Sequence, residues 1–227
     1  FFKPPTMIAL EMISDVIPAL KTSDTGQTAL NWMDIFKVSH LPIVNNKEFL
    51  GLVSESDIYD LNMPDEPLGN HYLSLNSPYV IEDQHIFEVM EVLSRLKLSL
   101  VPVLDSGKNY LGVITLMELL HYFAVESGIS LQGGIVVLEM NANDFSMSQV
   151  CQIVEGNDAK ILAAYVTPHP NSTRMELTLK LNVTDLTSIR QTFNRYNYTV
   201  KASFLKQDDE ADMLNDRINF LFRYLDI

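Results

Sequence analysis

The sequence predicts an α+β chain: two β-α-β-β-α repeats forming a pseudo-symmetric pair, then a βαββαβ unit with a C-terminal helix. Two observations predict it. A block of about sixty residues occurs twice in succession. After Gln132-Gly133-Gly134 the hydrophobic period changes, and strand and helix patterns follow in a different order.

The repeat is visible residue by residue. Ser39-His40-Leu41-Pro42-Ile43-Val44 matches Ser99-Leu100-Val101-Pro102-Val103-Leu104, and Phe49-Leu50-Gly51-Leu52-Val53-Ser54 matches Tyr110-Leu111-Gly112-Val113-Ile114-Thr115. The turn between these stretches absorbs one extra residue in the second copy. Each copy opens with a short apolar stretch, Val16-Ile17-Pro18 or Tyr79-Val80-Ile81, read as a strand. An acidic or hydroxyl residue then caps a helix, from Ser23-Asp24-Thr25 in one copy and Glu82-Asp83-Gln84 in the other. Leu30, Met33 and Phe36 recur at helical spacing, as do Ile86, Val89, Met90, Leu93 and Leu96. A hairpin of two strands follows, and a closing helix starts at Ser54 or Thr115, both plausible N-caps. Met63-Pro64 ends the first closing helix, because proline cannot continue it.

On these residues the first half resembles a tandem pair of cystathionine-β-synthase (CBS) domains. The specific element is Gly-h-h-Ser/Thr-x-x-Asp, present as Gly51-Leu52-Val53-Ser54-Glu55-Ser56-Asp57 and, with Glu for Asp, as Gly112-Val113-Ile114-Thr115-Leu116-Met117-Glu118. The expected repeats are 7–66 and 67–128. The resemblance implies clefts between the repeats for an adenosine-containing ligand: AMP, ADP, ATP or S-adenosylmethionine. A carboxylate in a helix's first turn can accept hydrogen bonds from ribose hydroxyls, and the helix N-terminus adds free N–H groups. Ser54 and Asp57 are the first candidate set, and Thr115 and Glu118 the second. The walls are expected from Ile17 and Pro18 with His40, Leu41 and Pro42, and from Tyr79 and Val80 with Leu100, Val101 and Pro102. Few Lys or Arg residues sit near the motifs, which favours AMP or S-adenosylmethionine over ATP.

Composition narrows the partners. The formal net charge is −13. Nucleic acids and anionic membrane surfaces repel such a field, so neither is expected as a partner. Cys151 is the sole cysteine, so an internal disulfide is excluded, which fits a reducing, cytoplasmic compartment. No apolar run approaches the roughly 18 residues of a membrane span, and residues 1–5 do not read as a signal peptide.

The last third reads as strand, helix, strand, strand, helix, strand over 134–206, a ferredoxin-like plait. Ile135–Met140 and Ile161–Val166 are strands. Met175, Leu177, Leu179 and Leu181 alternate with Glu176, Thr178 and Lys180, as a half-buried strand does. This order, following a CBS-like pair, resembles an ACT domain, and the combination resembles bacterial acetoin-utilisation-like proteins. ACT ligand sites commonly use a glycine after the first strand. Here that turn is Asn141-Ala142-Asn143-Asp144, whose Asn143 and Asp144 read as helix caps. A helix over 208–227 follows an acidic start.

A regulatory binding module is the expected function, with a structural dimerisation protein as the alternative from another class. A homodimer and a regulated protein partner are the expected contacts. No catalytic or phosphate-binding motif occurs, so an enzyme is not expected. None of the five histidines pairs with another His, a Cys or a carboxylate at metal-ligand spacing, so no metal is expected.

Overall fold

A computed structural model describes residues 7–14, 16–61, 64–71 and 77–205. The expected helix over 208–227 and the helix terminator Met63 lie outside the described residues. The chain divides into two compact units, Phe1–Phe123 and Ala124–Ile227.

The first unit contains the repeat. Helix α1 (Gly26–Phe36) leads to strands β1 (His40–Asn45) and β2 (Glu48–Ser54) and then helix α2 (Glu55–Asp60). In the second copy, strand β3 (Val80–Ile81) precedes α3 (Ile86–Leu96), β4 (Leu100–Leu104), β5 (Tyr110–Thr115) and α4 (Leu116–Glu126). The copies agree in fine detail. Both hairpins are antiparallel, and their registers shift at equivalent places, Ile43/Val44 and Val103/Leu104. Helices α1 and α3 end on lysines in the left-handed conformation, Lys37 at φ 55° and Lys97 at φ 53°. One apolar core runs through both copies, with Leu41, Ile58, Leu100, Val101 and Leu119 almost wholly buried.

Two local expectations are corrected. The strand-like residue opening the first copy is Leu20, not Val16-Ile17-Pro18. Leu20 pairs in parallel with Ile43, as Val80 pairs with Val103. Its N–H donates to the Pro42 carbonyl at 2.8 Å, and its carbonyl accepts from Val44 N–H at 2.7 Å. Pro18 has no N–H to donate, and Val16 is exposed. The cap of α3 is also different. Thr25 caps α1 as expected, but α3 is capped by His85, whose Nδ1 accepts from Phe87 N–H.

The repeats exchange arms. Residues 7–14 pack on the second copy: Ala9 N–H donates to the Gln84 carbonyl, Leu10 N–H to Glu82, and Ile86 N–H to Met7. The segment 64–70 does the same to the first copy: Leu68 N–H donates to Asp24, Gly69 N–H to Thr22, and Gln27 N–H to Pro64. The segment that precedes each repeat thus satisfies backbone groups of the other repeat.

In the second unit, β6 (Ile135–Asn141), α5 (Met147–Glu155), β7 (Ile161–Pro168), β8 (Arg174–Leu181), α6 (Thr187–Arg195) and β9 (Thr199–Phe204) follow in order. The antiparallel sheet runs β7-β8-β6-β9, the strand order of a ferredoxin-like plait. Val136, Leu138, Leu177 and Leu179 form its inner face beneath Val150, Ile153, Ile189 and Phe193. Asn141 to Asp144 do not cap α5. Ala142–Asp144 is a short 3-10 turn, and Ser146 caps the helix by accepting from Gln149 N–H. Lys180 breaks the expected polar alternation. It is buried, and its ammonium donates to the Gly133 carbonyl at 2.7 Å.

Candidate ligand cleft

The motif Gly51 to Asp57 places a helix N-terminus at the end of a strand. Strand β2 ends on Ser54, whose extended backbone lets its side chain turn onto the first turn of α2. A reciprocal capping box results. Asp57 N–H donates to Ser54 Oγ at 3.2 Å, and Ser54 N–H donates to Asp57 Oδ2 at 2.8 Å. The Ser54 hydroxyl also reaches Asp57 Oδ2, at 2.7 Å. All of this uses one carboxylate oxygen. Among the described residues, Asp57 Oδ1 has no hydrogen bond.

Ser54 and Asp57 open on a cleft of about 560 Å³, within the roughly 300–1,000 Å³ of small-molecule sites. His40, Leu52 and Ser56 line it from the first copy, and Ser77, Pro78, Leu96 and Leu98 from the second. No Lys or Arg is among these residues. His40 also reaches across to the second copy, with its Nδ1 3.1 Å from the Ser99 hydroxyl. Burial holds the imidazole pKa below its ordinary value, and the nearby Asp57 carboxylate partly offsets this. The cleft therefore offers a neutral ring, three serine hydroxyls, one carboxylate oxygen and an apolar wall. That set suits a flat base and a sugar better than a chain of phosphates.

The structure separates the sequence-derived candidates. His40, Ser54 and Asp57 come together. Ile17 and Pro18 are not in the lining; Ser77 and Pro78 are, and the Ser77 hydroxyl donates to the Leu50 carbonyl on β2. Leu41, Pro42, Val80, Leu100, Val101 and Pro102 are buried in the core, and Tyr79 is partly exposed outside the lining set. Thr115 and Glu118 reproduce the capping box on α4: Glu118 N–H donates to Thr115 Oγ1 at 3.0 Å, and Thr115 Oγ1 donates to Glu118 Oε2 at 2.8 Å. Leu52, Ser56, Ser77, Pro78, Leu96 and Leu98 are lining residues outside the sequence-derived candidates. The sixty-residue offset carries the missing signal, since it superposes Ser77-Pro78 on Ile17-Pro18.

A second polar cluster lies in the other unit. Glu139, His169 and Glu176 offer ligand atoms within 4.8 Å of one another. Sequence spacing does not reveal them, because strand pairing of Glu139 with Glu176 brings them together. Cations already hold both carboxylates: Arg174 lies 2.6 Å from Glu139, and Lys201 pairs with Glu176. His169 Nε2 is 3.0 Å from Glu176. An ion-pair network accounts for the cluster.

Among the described residues, no helix is long and apolar enough to cross a membrane. The model of the CBS domain matches residues 10–63 and 71–125. The chain is 26% identical over 110 residues to inosine-5'-monophosphate dehydrogenase of Methanocaldococcus jannaschii. That match takes in 48% of this chain and 22% of the dehydrogenase, so the chain spans about a fifth of that relative's length. Similar solved structures include a CBS domain pair/ACT domain protein from Thermotoga maritima, at 21% identity and a TM-score of 0.47, covering 52% of this chain and 98% of that one. CBSX2 in complex with AMP is another, at 17% identity and a TM-score of 0.44, covering 51% of this chain and 94% of that one. The two matched segments, 10–63 and 71–125, are a tandem pair of CBS domains.

Proposed function

We propose that the CBS pair is a regulatory module that binds an adenosine-containing small molecule in the cleft of Ser54, Asp57 and His40. The observation that carries this reading is the spare oxygen of Asp57. The capping box fixes the carboxylate through Oδ2 and leaves Oδ1 free beside an apolar wall formed by Pro78, Leu96 and Leu98. A fixed carboxylate oxygen can accept from the adjacent hydroxyls of a ribose, and the apolar wall can hold a base. The lack of a cation in the lining favours AMP or S-adenosylmethionine over ADP and ATP, because each added phosphate brings uncompensated negative charge.

Binding would favour one arrangement of the repeats and change a contact with a partner protein or a second copy of the chain. The βαββαβ unit, read as ACT-like, is the element that relays or receives that change. The module itself carries out no reaction.

Calorimetric titration of the chain with AMP, ADP, ATP and S-adenosylmethionine tests the reading. Saturable heat with at least one of them, lost in Asp57→Ala, is the expected result. A silent wild type would leave the pair as a dimerisation scaffold.

A further inference from the structure

The two repeats are alike in backbone, so their clefts can be compared position by position. The structure of the second cleft follows by moving each lining residue of the first to its counterpart. His40 becomes Leu100, Ser56 becomes Met117, Ser77 becomes Ile17 and Leu96 becomes Phe36, while Leu52 and Leu98 become the smaller Val113 and Val38. The first four changes remove three polar groups and put larger apolar side chains at Ile17, Phe36 and Met117. Burial changes in the same sense. Leu100 is fully buried, whereas His40 is partly exposed; Leu96 is exposed, whereas Phe36 is packed against the core together with Ile17. The capping hydroxyls differ too: Ser54 is partly exposed, but Thr115 retains only 8% of its accessible surface.

We infer that the two clefts are unequal: the chain takes one nucleoside-type ligand, at Ser54–Asp57, and the Thr115–Glu118 cleft is closed by Ile17, Phe36 and Leu100. This rests on the proposed ligand reading and adds its stoichiometry and its determinant. A ribose entering the second cleft would lose its water against leucine, isoleucine, methionine and phenylalanine, with no imidazole there and a Thr115 hydroxyl that is buried and already bonded to Glu118. The Thr115–Glu118 box then acts as a helix cap alone. His40 is the specificity-determining residue, because it supplies the polar ring nitrogen that Leu100 lacks. It also ties the open cleft to the second repeat through Ser99.

Two measurements test this. In the first, AMP is titrated into the full chain. One equivalent per chain, with all binding lost in Asp57→Ala, is expected. Two equivalents, or one site surviving in Asp57→Ala, would overturn the inference and leave the sensor reading intact. The second needs no ligand. In a Cys151→Ser background, Ser54→Cys and Thr115→Cys are labelled with a maleimide, with Trp32 fluorescence confirming folding. The thiol at position 54 should react at least about tenfold faster than that at 115, since reaction requires access. Equal rates overturn the inference. If AMP gives no heat, the stoichiometry is read with whichever of ADP, ATP and S-adenosylmethionine binds; if none of the four binds, the sensor reading fails, and the labelling ratio alone decides whether the clefts differ.

Discussion

His40 and Ser99 face each other across the two repeats, with Nδ1 of the imidazole 3.1 Å from the serine hydroxyl. The Ser99 hydroxyl also accepts from Ser39 N–H at 3.0 Å, and Ser99 N–H points at the same ring nitrogen, 3.4 Å away. A ring nitrogen facing an N–H acts as an acceptor, so this arrangement holds the imidazole neutral.

That relationship gives a pH prediction. The pKa of His40 is lowered in the folded chain, first by burial, with Asp57 opposing. The unfolded chain therefore takes up the proton at a higher pH than the folded chain does. Stability from this group is complete above the unfolded value of about 6.5 and is lost as pH falls through the folded value. Denaturation midpoints between pH 7.5 and 5 should fall more steeply for the wild type than for His40→Leu. Parallel slopes would remove His40 as the cause.

The capping box at Ser54 should be measurable on its own. Ser54→Ala deletes the acceptor for Asp57 N–H and one donor to the carboxylate. Losing such a cap costs about 1 kcal/mol. Urea unfolding of the first unit should show that loss without ligand, and AMP binding should weaken because Asp57 is no longer held in place.

In the second unit the sensitive backbone position is Gly133. Its φ is +147°, and a β-carbon there would lie 1.8 Å from the Leu181 carbonyl oxygen. Its own carbonyl also accepts from the buried Lys180 ammonium. Gly133→Ala should destabilise by about 3 kcal/mol through strain and a displaced strand end. Thermal unfolding followed by circular dichroism checks this, and a shift of less than a degree would refute it.

Phe193 tests the plait's core. It is fully buried beneath the sheet, with its ring edge-to-face against Tyr198 at 5.7 Å between centroids. Phe193→Ala should cost about 3–5 kcal/mol, the transfer and cavity terms together. The same denaturant series measures it, and the first unit's transition should be unchanged if the two units unfold separately.

Much of this was legible in the sequence because the repeat acts as its own control. One copy of a strand-turn-strand pattern is ambiguous, but two copies with the same Pro, Gly and Ser/Thr fix helix starts at Ser54 and Thr115. The plait was legible from the alternation of Met175, Leu177, Leu179 and Leu181. What escaped was long-range. Which arm covers which repeat depends on hydrogen bonds such as Leu68 N–H to Asp24, and no local pattern records them. Nor does any local pattern show that Ser77-Pro78, not Ile17-Pro18, lines the cleft of Ser54 and Asp57. The Glu139–His169–Glu176 cluster escaped for a related reason: strand register, rather than sequence spacing, creates it. Helix caps differ from the sequence expectation where a less obvious residue takes the role, His85 for α3 and Ser146 for α5.

The exchanged arms make the CBS pair a laced structure instead of two stacked beads. A chain cut near residue 61 would leave the strap 7–14 on the fragment that has no use for it, and the strap 64–70 on the other. Each fragment alone would expose the backbone groups that its sister normally ties down. Mixed together, the two would re-form the module by lending straps back. The two repeats should therefore unfold in one transition rather than two.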